Sequence, residues 1–210
     1  MEEKKKGVTL LAFGDSNTWG YNAKTGGRYP KEVRWTGVLE TLCPGLTVLE
    51  EGLCGRTTVF GPGFLRGEDA LRTWVRGNRR AGACVIMLGT NDCKSEYGAD
   101  AESIADGLET CLDLLERIVP GEKILVVSPI LLGDGVWREG KDPDFDAGSV
   151  KTCARLAAAY RTACERRGHP FFAAQDYVSA ALTDEEHLDG AGHAAFARAL
   201  VEKLREFDLI

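Results

Sequence analysis

Residues 13–19, Phe-Gly-Asp-Ser-Asn-Thr-Trp, hold a serine in a setting suited to nucleophilic chemistry. They follow an apolar run, 8–12, that predicts a short buried strand, and they precede a Gly- and Asn-rich segment, 20–27, that cannot form a helix interior. Ser16 is therefore predicted at the carboxyl end of a first strand, where open α/β sheets bind their ligands. By itself, the Gly-Asp-Ser sequence also fits an ordinary turn.

Two further segments follow predicted strands and offer hydrogen-bond donors. Residues 50–58, Glu-Glu-Gly-Leu-Cys-Gly-Arg-Thr-Thr, contain Gly55, whose backbone N–H could face an anion with no side chain in the way. Residues 89–92, Gly-Thr-Asn-Asp, follow the most apolar strand and place Asn91 at the sheet edge as an amide donor. Each segment alone is also compatible with a turn, because Gly and Asn are common turn residues.

A fourth segment, Asp-Glu-Glu-His-Leu-Asp-Gly-Ala-Gly-His, begins at Asp184 and holds two of the three histidines. Histidine can take and return a proton near neutral pH. His187 precedes the last predicted helix, three residues after Asp184, so this carboxylate can reach the imidazole and fix its tautomer. Asp189 is a rival orienting carboxylate. His193 is expected to be a packed or capping residue within the helix, and His169 to be structural.

The four segments together supply the groups that serine acyl hydrolysis needs. Ser16 would be the nucleophile, His187 the base and Asp184 the group that orients the base. The Ser16 and Gly55 backbone N–H groups and the Asn91 amide would bind the oxyanion. Each group follows a strand end, so one sheet edge could bring them together.

In this order, the segments resemble the SGNH (GDSL-type) hydrolase family over residues 13–193. The nucleophile, glycine, asparagine and acid–base blocks correspond to Ser16, Gly55, Asn91 and the Asp184–His187 pair. The resemblance implies a flavodoxin-like three-layer α/β/α sandwich with a five-stranded parallel sheet, and esterase, lipase or acyltransferase activity. Residues 14–20 and 52–58 are most similar to the bacterial arylesterase/acyltransferase branch. A homo-oligomer is also compatible with the resemblance.

Three residues beside the motifs are candidates for the substrate pocket. Asn17 stands where the named motif has leucine, and this difference bears on acyl preference. Trp19 either lines an acyl or alcohol pocket or packs in the core, and Arg56 either contacts substrate or forms a surface salt bridge. The Gly-x-Ser-x-Gly elbow of the α/β-hydrolase fold is absent from the sequence, which argues against that fold.

Alternating strands and helices must position these residues. Short apolar runs predict strands at 8–13, 46–51, 83–88, 123–128 and 170–173. Helical patterns occupy 34–42, 68–79, 100–119, 149–167 and 191–207. Ser149 is a predicted N-cap, and Asp189 with Gly190 opens the last helix. The alternation predicts a parallel sheet covered on both faces. The long loops 20–33, 53–67, 130–148 and 175–189 would gather at one edge of it.

Composition limits the class of protein. The chain has 210 residues, 44% hydrophobic and 28% charged, which suits a single domain spanning 1–210. The formal net charge of −6 argues against a nucleic-acid partner, and the lysine run at 4–6 is offset by two glutamates. No apolar run reaches the roughly 18 residues of a membrane span. The apolar run near the N-terminus is not that of a signal peptide, so we expect a cytoplasmic protein without a membrane partner.

The seven cysteines are odd in number and contain no Cys-x-x-Cys pair. This pattern predicts reduced, partly buried thiols rather than a disulfide framework or a zinc site. Cys54 and Cys93 adjoin the motifs, and packing is the default expectation for both.

The sequence thus predicts a serine esterase, without metal or cofactor, acting on a small-molecule ester. Its substrates would be short-chain aryl or alkyl carboxylic esters, with water or an alcohol accepting the acyl group. Carbohydrate O-acetylesterase activity is one alternative. A non-catalytic flavodoxin-like binding module is another, although no Gly-x-Gly-x-x-Gly or Walker loop supports it. A third is metal-assisted hydrolysis through Asp15, Asp92, Asp184 and His187.

Overall fold

The computed structural model describes residues 7–210, so the lysine run at 4–6 lies outside the described part of the chain. A parallel sheet has the strand order β4-β1-β5-β6-β7. Its strands are β1 (Val8–Gly14), β4 (Leu46–Gly52), β5 (Ala83–Met87), β6 (Ile124–Ser128) and β7 (Phe171–Ala173). β2 (Tyr21–Asn22) and β3 (Gly27–Arg28) form a separate hairpin. The predicted sheet strands are confirmed to within one residue at each end.

Helices cover both faces of the sheet. They are α1 (Ser16–Trp19), α2 (Trp35–Leu42), α3 (Gly67–Arg76), α4 (Ala101–Leu115), α5 (Ala147–Arg167) and α6 (Gly190–Glu206). Along β1, Leu10 and Ala12 pack in a core with α2 and α6, whereas Leu11 and Phe13 pack in a second core with α3, α4 and α5. This alternation follows from the two-residue period of a strand, and it confirms the three-layer α/β/α sandwich.

The registers of the three strands nearest the site align their carboxyl ends. Gly14, at the end of β1, pairs with Gly52 of β4 on one side and Met87 of β5 on the other. Every residue of β5 and β6 is buried, as expected for central parallel strands. The segments that follow these strands therefore leave the sheet at one common edge.

Three predicted helix boundaries were wrong. α3 ends at Arg76 rather than 79, because Gly77 caps it and Asn78 has a left-handed backbone with φ of 51°. Ser149 does not cap α5: Asp146 does, accepting the Ser149 N–H at 2.8 Å while its own N–H donates to Ser149 Oγ at 3.1 Å. The helix therefore begins two residues earlier, with Ser149 at the third position of a capping box. α4 ends at Leu115 rather than 119 because Val119 precedes Pro120, a position that disfavours helical backbone. Asp189 caps α6 as predicted.

The Gly- and Asn-rich segment after α1 forms the β2–β3 hairpin. Gly20 ends α1 in the left-handed region, with φ of 89°, and turns the chain into β2. The hairpin lies at the sheet edge, beside the end of β1. Within residues 7–210 none of the helices combines the length and apolar character that crossing a membrane requires.

Candidate active site

A cavity of about 440 Å³ opens at the carboxyl edge of the sheet. Its lining comes from five separate stretches of chain, within 16–23, 54–55, 91–94, 140–143 and 183–187. Four of the five belong to or adjoin the motifs predicted from sequence. The loops that follow different strands thus meet at one place, as the parallel topology requires.

Ser16, His187 and Asp184 form an unbroken hydrogen-bonded chain on the cavity wall. Ser16 Oγ lies 2.8 Å from His187 Nε2, and His187 Nδ1 lies 2.6 Å from Asp184 Oδ2. With Asp184 ionised, Nδ1–H donates to the carboxylate, and Nε2 accepts the serine proton. Asp184 Oδ1 also accepts the backbone N–H groups of Glu186 and His187 at 3.1 and 3.0 Å, which fixes the carboxylate. The arrangement can remove a proton from the hydroxyl.

The turn that carries Ser16 depends on two preceding residues. The Asp15 side chain accepts the Asn17 N–H at 2.9 Å and caps the short helix α1. A Cβ on Gly14 would lie 2.1 Å from Thr18 Oγ1, so this turn requires glycine. Asp15 is buried beneath the nucleophile, and desolvation raises the pKa of its carboxyl. The buried cap leaves Ser16 at the first position of the helix, on the cavity wall.

Three candidate oxyanion donors lie on the wall of the same cavity as His187. Within residues 7–210, no hydrogen-bond acceptor pairs with the backbone N–H of Ser16 or of Gly55. Gly55 has φ of +78°, in the region that favours glycine. Asn91 Nδ2 donates to the Arg56 carbonyl at 3.1 Å, which fixes the amide and leaves its second N–H for another acceptor. All three donor residues line the cavity.

The pKa values of the acid–base pair follow from burial and mutual contact. Burial of the His187 ring lowers its pKa, but the Asp184 hydrogen bond and the charges of Glu186, Asp184 and Asp15 outweigh burial and raise it. Burial also opposes ionisation of Asp184, but the hydrogen bond and charge of His187 prevail and hold its pKa below the ordinary value. Asp184 therefore remains ionised at neutral pH, ready to stabilise a protonated imidazole.

Two residues beside His187 were not identified from sequence. The Tyr21 ring lies 4.5 Å from the imidazole, centroid to centroid, at an angle of 47°. The Glu186 side chain is 7% exposed, and its Oε1 lies 3.6 Å from His187 Nε2. Desolvation raises the pKa of Glu186 to about 7. Tyr21 was missed because the β2–β3 hairpin, which brings it to the site, is not evident in the sequence. Glu186 was missed because it lies in an acidic run typical of solvent-exposed loops.

The segment 181–187, here called the acid–base loop, is held to the neighbouring loop 133–141. Glu185 has φ of 62°, a left-handed backbone that is uncommon for residues other than glycine. Its carbonyl accepts the Gly133 N–H at 2.8 Å, and its carboxylate accepts the Gly135 N–H and pairs with Lys141. These contacts stabilise the strained turn that places His187 opposite Ser16.

Asn17 does not line the cavity, contrary to its assignment to the substrate pocket. It is 2% exposed, and its side chain bridges the nucleophile turn and the acid–base loop. Its Nδ2 donates to the Glu186 carbonyl at 3.3 Å, and its Oδ1 accepts the Leu188 N–H at 2.9 Å. The structure therefore assigns Asn17 a positioning role, because leucine could make neither hydrogen bond.

Arg56 and Trp19 also lie outside the cavity lining. Arg56 is 5% exposed, and its Nη1 donates to the Gly14 carbonyl at 2.9 Å and to the Glu51 carbonyl. Because the side chain is buried and bonds to backbone carbonyls, the alternative of a surface salt bridge was wrong as well. Trp19 is half-buried beside Arg28, whose guanidinium lies 5.4 Å from the ring centroid. Arg56 instead joins the ends of β1 and β4.

The other two histidines have structural environments, as expected. His193 is completely buried in α6, and its Nδ1 accepts the Trp35 N–H at 3.4 Å. Burial lowers the pKa of His193 to about 4. His169 contacts the Gly121 carbonyl and Glu116, at 3.0 and 2.9 Å. The rival carboxylate Asp189 accepts the Gly192 N–H at 2.8 Å as the cap of α6.

The acidic residues considered for metal binding do not converge. Asp92 is buried, and its Oδ1 accepts the Thr58 N–H and hydroxyl at 2.8 and 2.5 Å. Desolvation raises the pKa of Asp92 to about 6. Neither Asp92 nor Asp15 lines the cavity. Across the described chain, 7–210, no three His, Cys, Asp or Glu side chains are grouped as metal ligands.

The cysteines are all free thiols, and six of the seven are buried. Cys93 is among the buried ones, in agreement with a packing role. Cys54 is exposed and lines the cavity beside Gly55, contrary to the expectation of packing. Partial burial and nearby carboxylates raise the pKa of Cys54 to about 11, so the group is a neutral thiol at physiological pH.

Comparison with known proteins finds a family match and two similar esterase structures. A model of the GDSL-like Lipase/Acylhydrolase family matches residues 12–195. The structure is similar to that of a carbohydrate acetylesterase family member from Sinorhizobium meliloti (31% identity, TM-score 0.83), covering 95% of this chain and 98% of that one. It is also similar to the aryl esterase of M. smegmatis (30% identity, TM-score 0.83), covering 95% and 99%.

A more distantly related structure has the same fold. A lipolytic G-D-S-L family member from Veillonella parvula is 15% identical, with a TM-score of 0.68 over 92% of this chain and 96% of that one. At this identity the likeness concerns the fold alone. Comparison with the curated proteins finds no match.

Proposed function

The chain belongs to the GDSL-like lipase/acylhydrolase family, a family of serine ester hydrolases, and we propose that it cleaves short-chain carboxylic esters through an acyl-enzyme on Ser16. The observation that carries this proposal is the continuous chain from Ser16 Oγ through the His187 imidazole to the Asp184 carboxylate, with links of 2.8 and 2.6 Å. Aryl and alkyl acetates, propionates and butyrates are the proposed substrates.

In the proposed first step, Ser16 Oγ attacks the ester carbonyl while His187 Nε2 takes the hydroxyl proton. Asp184, already fixed by two backbone N–H groups, stabilises the imidazolium that forms. The carbonyl oxygen gains negative charge at this point. The Ser16 and Gly55 N–H groups and the Asn91 amide are the proposed donors to it, and such donors contribute most as charge develops.

The tetrahedral intermediate then collapses and the alcohol leaves. His187 returns its proton to the leaving oxygen, and the acyl group stays on Ser16. Water or a second alcohol takes the place of the leaving alcohol, loses its proton to His187 and attacks the acyl-enzyme. Hydrolysis and acyl transfer thus share one set of residues, and the balance depends on whether water or alcohol occupies the cavity.

The size of the cavity supports short acyl groups. Its volume of about 440 Å³ must hold both the acyl and the alcohol part of an ester. Its walls carry several charged side chains, Lys94, Lys141, Asp142 and Glu186. A long alkyl chain would bury apolar surface against these charges and leave them poorly hydrated.

Carbohydrate O-acetyl esters are a second candidate substrate class. A carbohydrate acetylesterase family member shares the fold at 31% identity, and a charged cavity wall suits a hydroxyl-rich alcohol. The chemistry on Ser16 would be the same. The two candidates differ only in the alcohol part that the cavity accepts.

A panel of esters with labelling of the nucleophile tests the proposal. The protein should turn over 4-nitrophenyl acetate, and a serine-directed phosphonate should modify Ser16 alone and abolish turnover. Ser16→Ala should neither react with the phosphonate nor cleave the ester. Ser128→Ala changes a buried serine outside the cavity and should react with the phosphonate and cleave the ester like the wild type. A folded protein without turnover of any acetyl, propionyl or butyryl ester, or an adduct on another residue, would overturn the proposal.

A further inference from the structure

Glu186 is a buried carboxyl group on the cavity wall that the proposed mechanism does not use. Its side chain is 7% exposed, and the residue lines the cavity together with Ser16 and His187. Within residues 7–210, no hydrogen-bond donor pairs with either carboxyl oxygen; Oε1 lies 3.6 Å from His187 Nε2, beyond hydrogen-bond distance. The carboxyl oxygens are not sealed off from the cavity that the residue lines, so a hydrogen-bond partner for this group must come from the cavity.

The position of Glu186 is fixed by its own backbone. Its N–H donates to Asp184 Oδ1 at 3.1 Å, and its carbonyl accepts the Asn17 amide at 3.3 Å. The preceding residue, Glu185, is tied to the facing loop through Gly133 and Gly135. The backbone that carries the carboxyl group is thus anchored to the nucleophile turn and to the facing loop.

The mechanism determines which part of an ester comes near this carboxyl. His187 Nε2 must come within about 3 Å of the leaving oxygen to protonate it. The carbonyl oxygen would instead bind the proposed oxyanion donors on Ser16, Gly55 and Asn91. Because Glu186 Oε1 is 3.6 Å from the same nitrogen, it lies next to the alcohol part of the bound ester rather than the acyl part.

We propose that the Glu186 carboxyl accepts a hydrogen bond from a donor on the alcohol part of the ester, and that the site therefore favours esters of hydroxylated alcohols over esters of apolar alcohols of the same size. This inference rests on the proposed serine esterase function. A hydroxyl one or two carbons from the leaving oxygen would supply the missing donor. An apolar alcohol would leave the buried carboxyl unpaired, and this is a penalty that discriminates strongly.

Ethylene glycol monoacetate and propyl acetate form a matched pair for the test. They have the same acyl group and number of heavy atoms, and differ in a terminal hydroxyl against a methyl. The measured quantity is the ratio of their kcat/KM values, in the wild type and in Glu186→Gln and Glu186→Leu. Glu139→Gln is the control, because it removes an exposed acid from the facing loop, outside the cavity lining.

The wild type should prefer the glycol ester by about tenfold, the effect of one hydrogen bond to an ionised group. Glu186→Leu should abolish or reverse the preference, and Glu186→Gln, which keeps an acceptor oxygen without charge, should give an intermediate ratio. Glu139→Gln should retain the wild-type ratio. An unchanged ratio in Glu186→Leu, or equal losses on both esters, would overturn the inference, because equal losses indicate an effect through His187 alone.

The same measurement at two pH values gives an independent readout. Lys94 and Asp142 face Glu186 from other segments, and Asp184 and His187 from its own. Titration of His187 changes kcat/KM by the same factor for both esters, so it cancels in their ratio. Ionised carboxylates accept stronger hydrogen bonds, so the preference for the glycol ester should be greater at pH 8 than at pH 6 in the wild type and constant in Glu186→Leu. A pH-independent wild-type ratio would contradict the inference.

Turnover of 4-nitrophenyl acetate distinguishes failure of the inference about Glu186 from failure of the proposed esterase function. If the wild type cleaves it and propyl acetate but shows no preference between the matched esters, the inference about Glu186 fails and the serine esterase function stands. If the folded wild type cleaves none of the three esters, the proposed function fails and the inference fails with it. Should Glu186→Leu not fold, the wild-type ratio and Glu186→Gln still decide.

Discussion

The acid–base loop and the first turn of α6 each bury a histidine, and their surroundings change its basicity in opposite directions. In the loop, His187 bonds to Asp184 through one ring nitrogen and to Ser16 through the other, and its pKa is raised. In the helix, His193 accepts a long hydrogen bond from Trp35, and burial lowers its pKa to about 4.

Both histidines follow an aspartate closely, so a nearby carboxylate does not explain the difference. Asp184 points one oxygen at the imidazole and the other at two backbone N–H groups. Asp189 uses its side chain to cap α6 at the Gly192 N–H instead. A buried imidazole without a carboxylate partner becomes neutral, whereas one with a directed hydrogen bond can hold a proton. The direction of the carboxylate therefore separates a candidate base from a packing residue.

The largest losses of activity are expected for substitutions in the acid–base loop, at His187 and Asp184. His187→Ala and Asp184→Asn should each lower kcat about 10⁴-fold or more, because the base or its tautomer control is lost. His193→Gln is the matched control and should keep kcat within about threefold of the wild type. Steady-state kinetics on 4-nitrophenyl acetate measure all three. A dead His193→Gln with an active His187→Ala would reverse the assignment of the two histidines.

Asn91→Ala tests whether oxyanion binding by Asn91 is independent of proton transfer by His187. It should lower kcat about 10²–10³-fold, the usual effect of one lost oxyanion donor, with little change in KM. The rising limb of the kcat/KM pH profile should keep its wild-type position, because His187 is untouched. An unchanged kcat would make Asn91 a turn residue, and a displaced limb would show coupling to the acid–base loop.

His193 should make the folded state sensitive to acid. The folded state holds it neutral down to about pH 4, whereas the unfolded chain protonates it near its ordinary pKa of about 6.5. Stability present above pH 6.5 is therefore lost as the pH falls towards 4, by up to about 3 kcal/mol. Urea unfolding of wild type and His193→Gln at pH 7 and 4 measures this. Parallel losses in the two proteins would contradict the lowered pKa.

Asn17 should show the smallest effect, because it holds the loop in place without taking part in the chemistry. Asn17→Ala removes two buried hydrogen bonds to the acid–base loop and should lower the free energy of unfolding by about 1–3 kcal/mol and kcat by about tenfold. The control is Asn22→Ala, which removes only an exposed hydrogen bond to Lys24. Equal effects of the two substitutions would show that the bridge does not position His187.

The sheet could be predicted because its strands are short apolar runs, and its parallel direction follows from their alternation with helices. The positions of Ser16, Gly55, Asn91 and His187 at one edge follow from the same pattern, since each comes after a strand end. Glu186 could not be identified, because the loop that buries it is tied to residues 133–141, some 50 positions away. Its sequence neighbours are acidic residues that normally face water.

The errors have two physical causes. Asn17 and Arg56 were candidates for the pocket because they adjoin the motifs, yet both turn inward and bond to backbone groups far away in the sequence. Those partners are set by tertiary structure, for which a linear pattern carries little signal. Ser149 was assigned as the cap although the cap is Asp146, three residues earlier in the same local capping box.

The bond between Ser16 and His187 joins residues 171 positions apart, and this separation has a kinetic consequence. β1 is synthesised first, yet its neighbours β4 and β5 and the acid–base loop beyond β7 must all be in place before the two side chains meet. Contacts of such long sequence separation form late during folding. With His187 as the proposed base, we therefore expect a nascent chain arrested before residue 187 to be inactive, and ester turnover during refolding to return no earlier than these distant contacts.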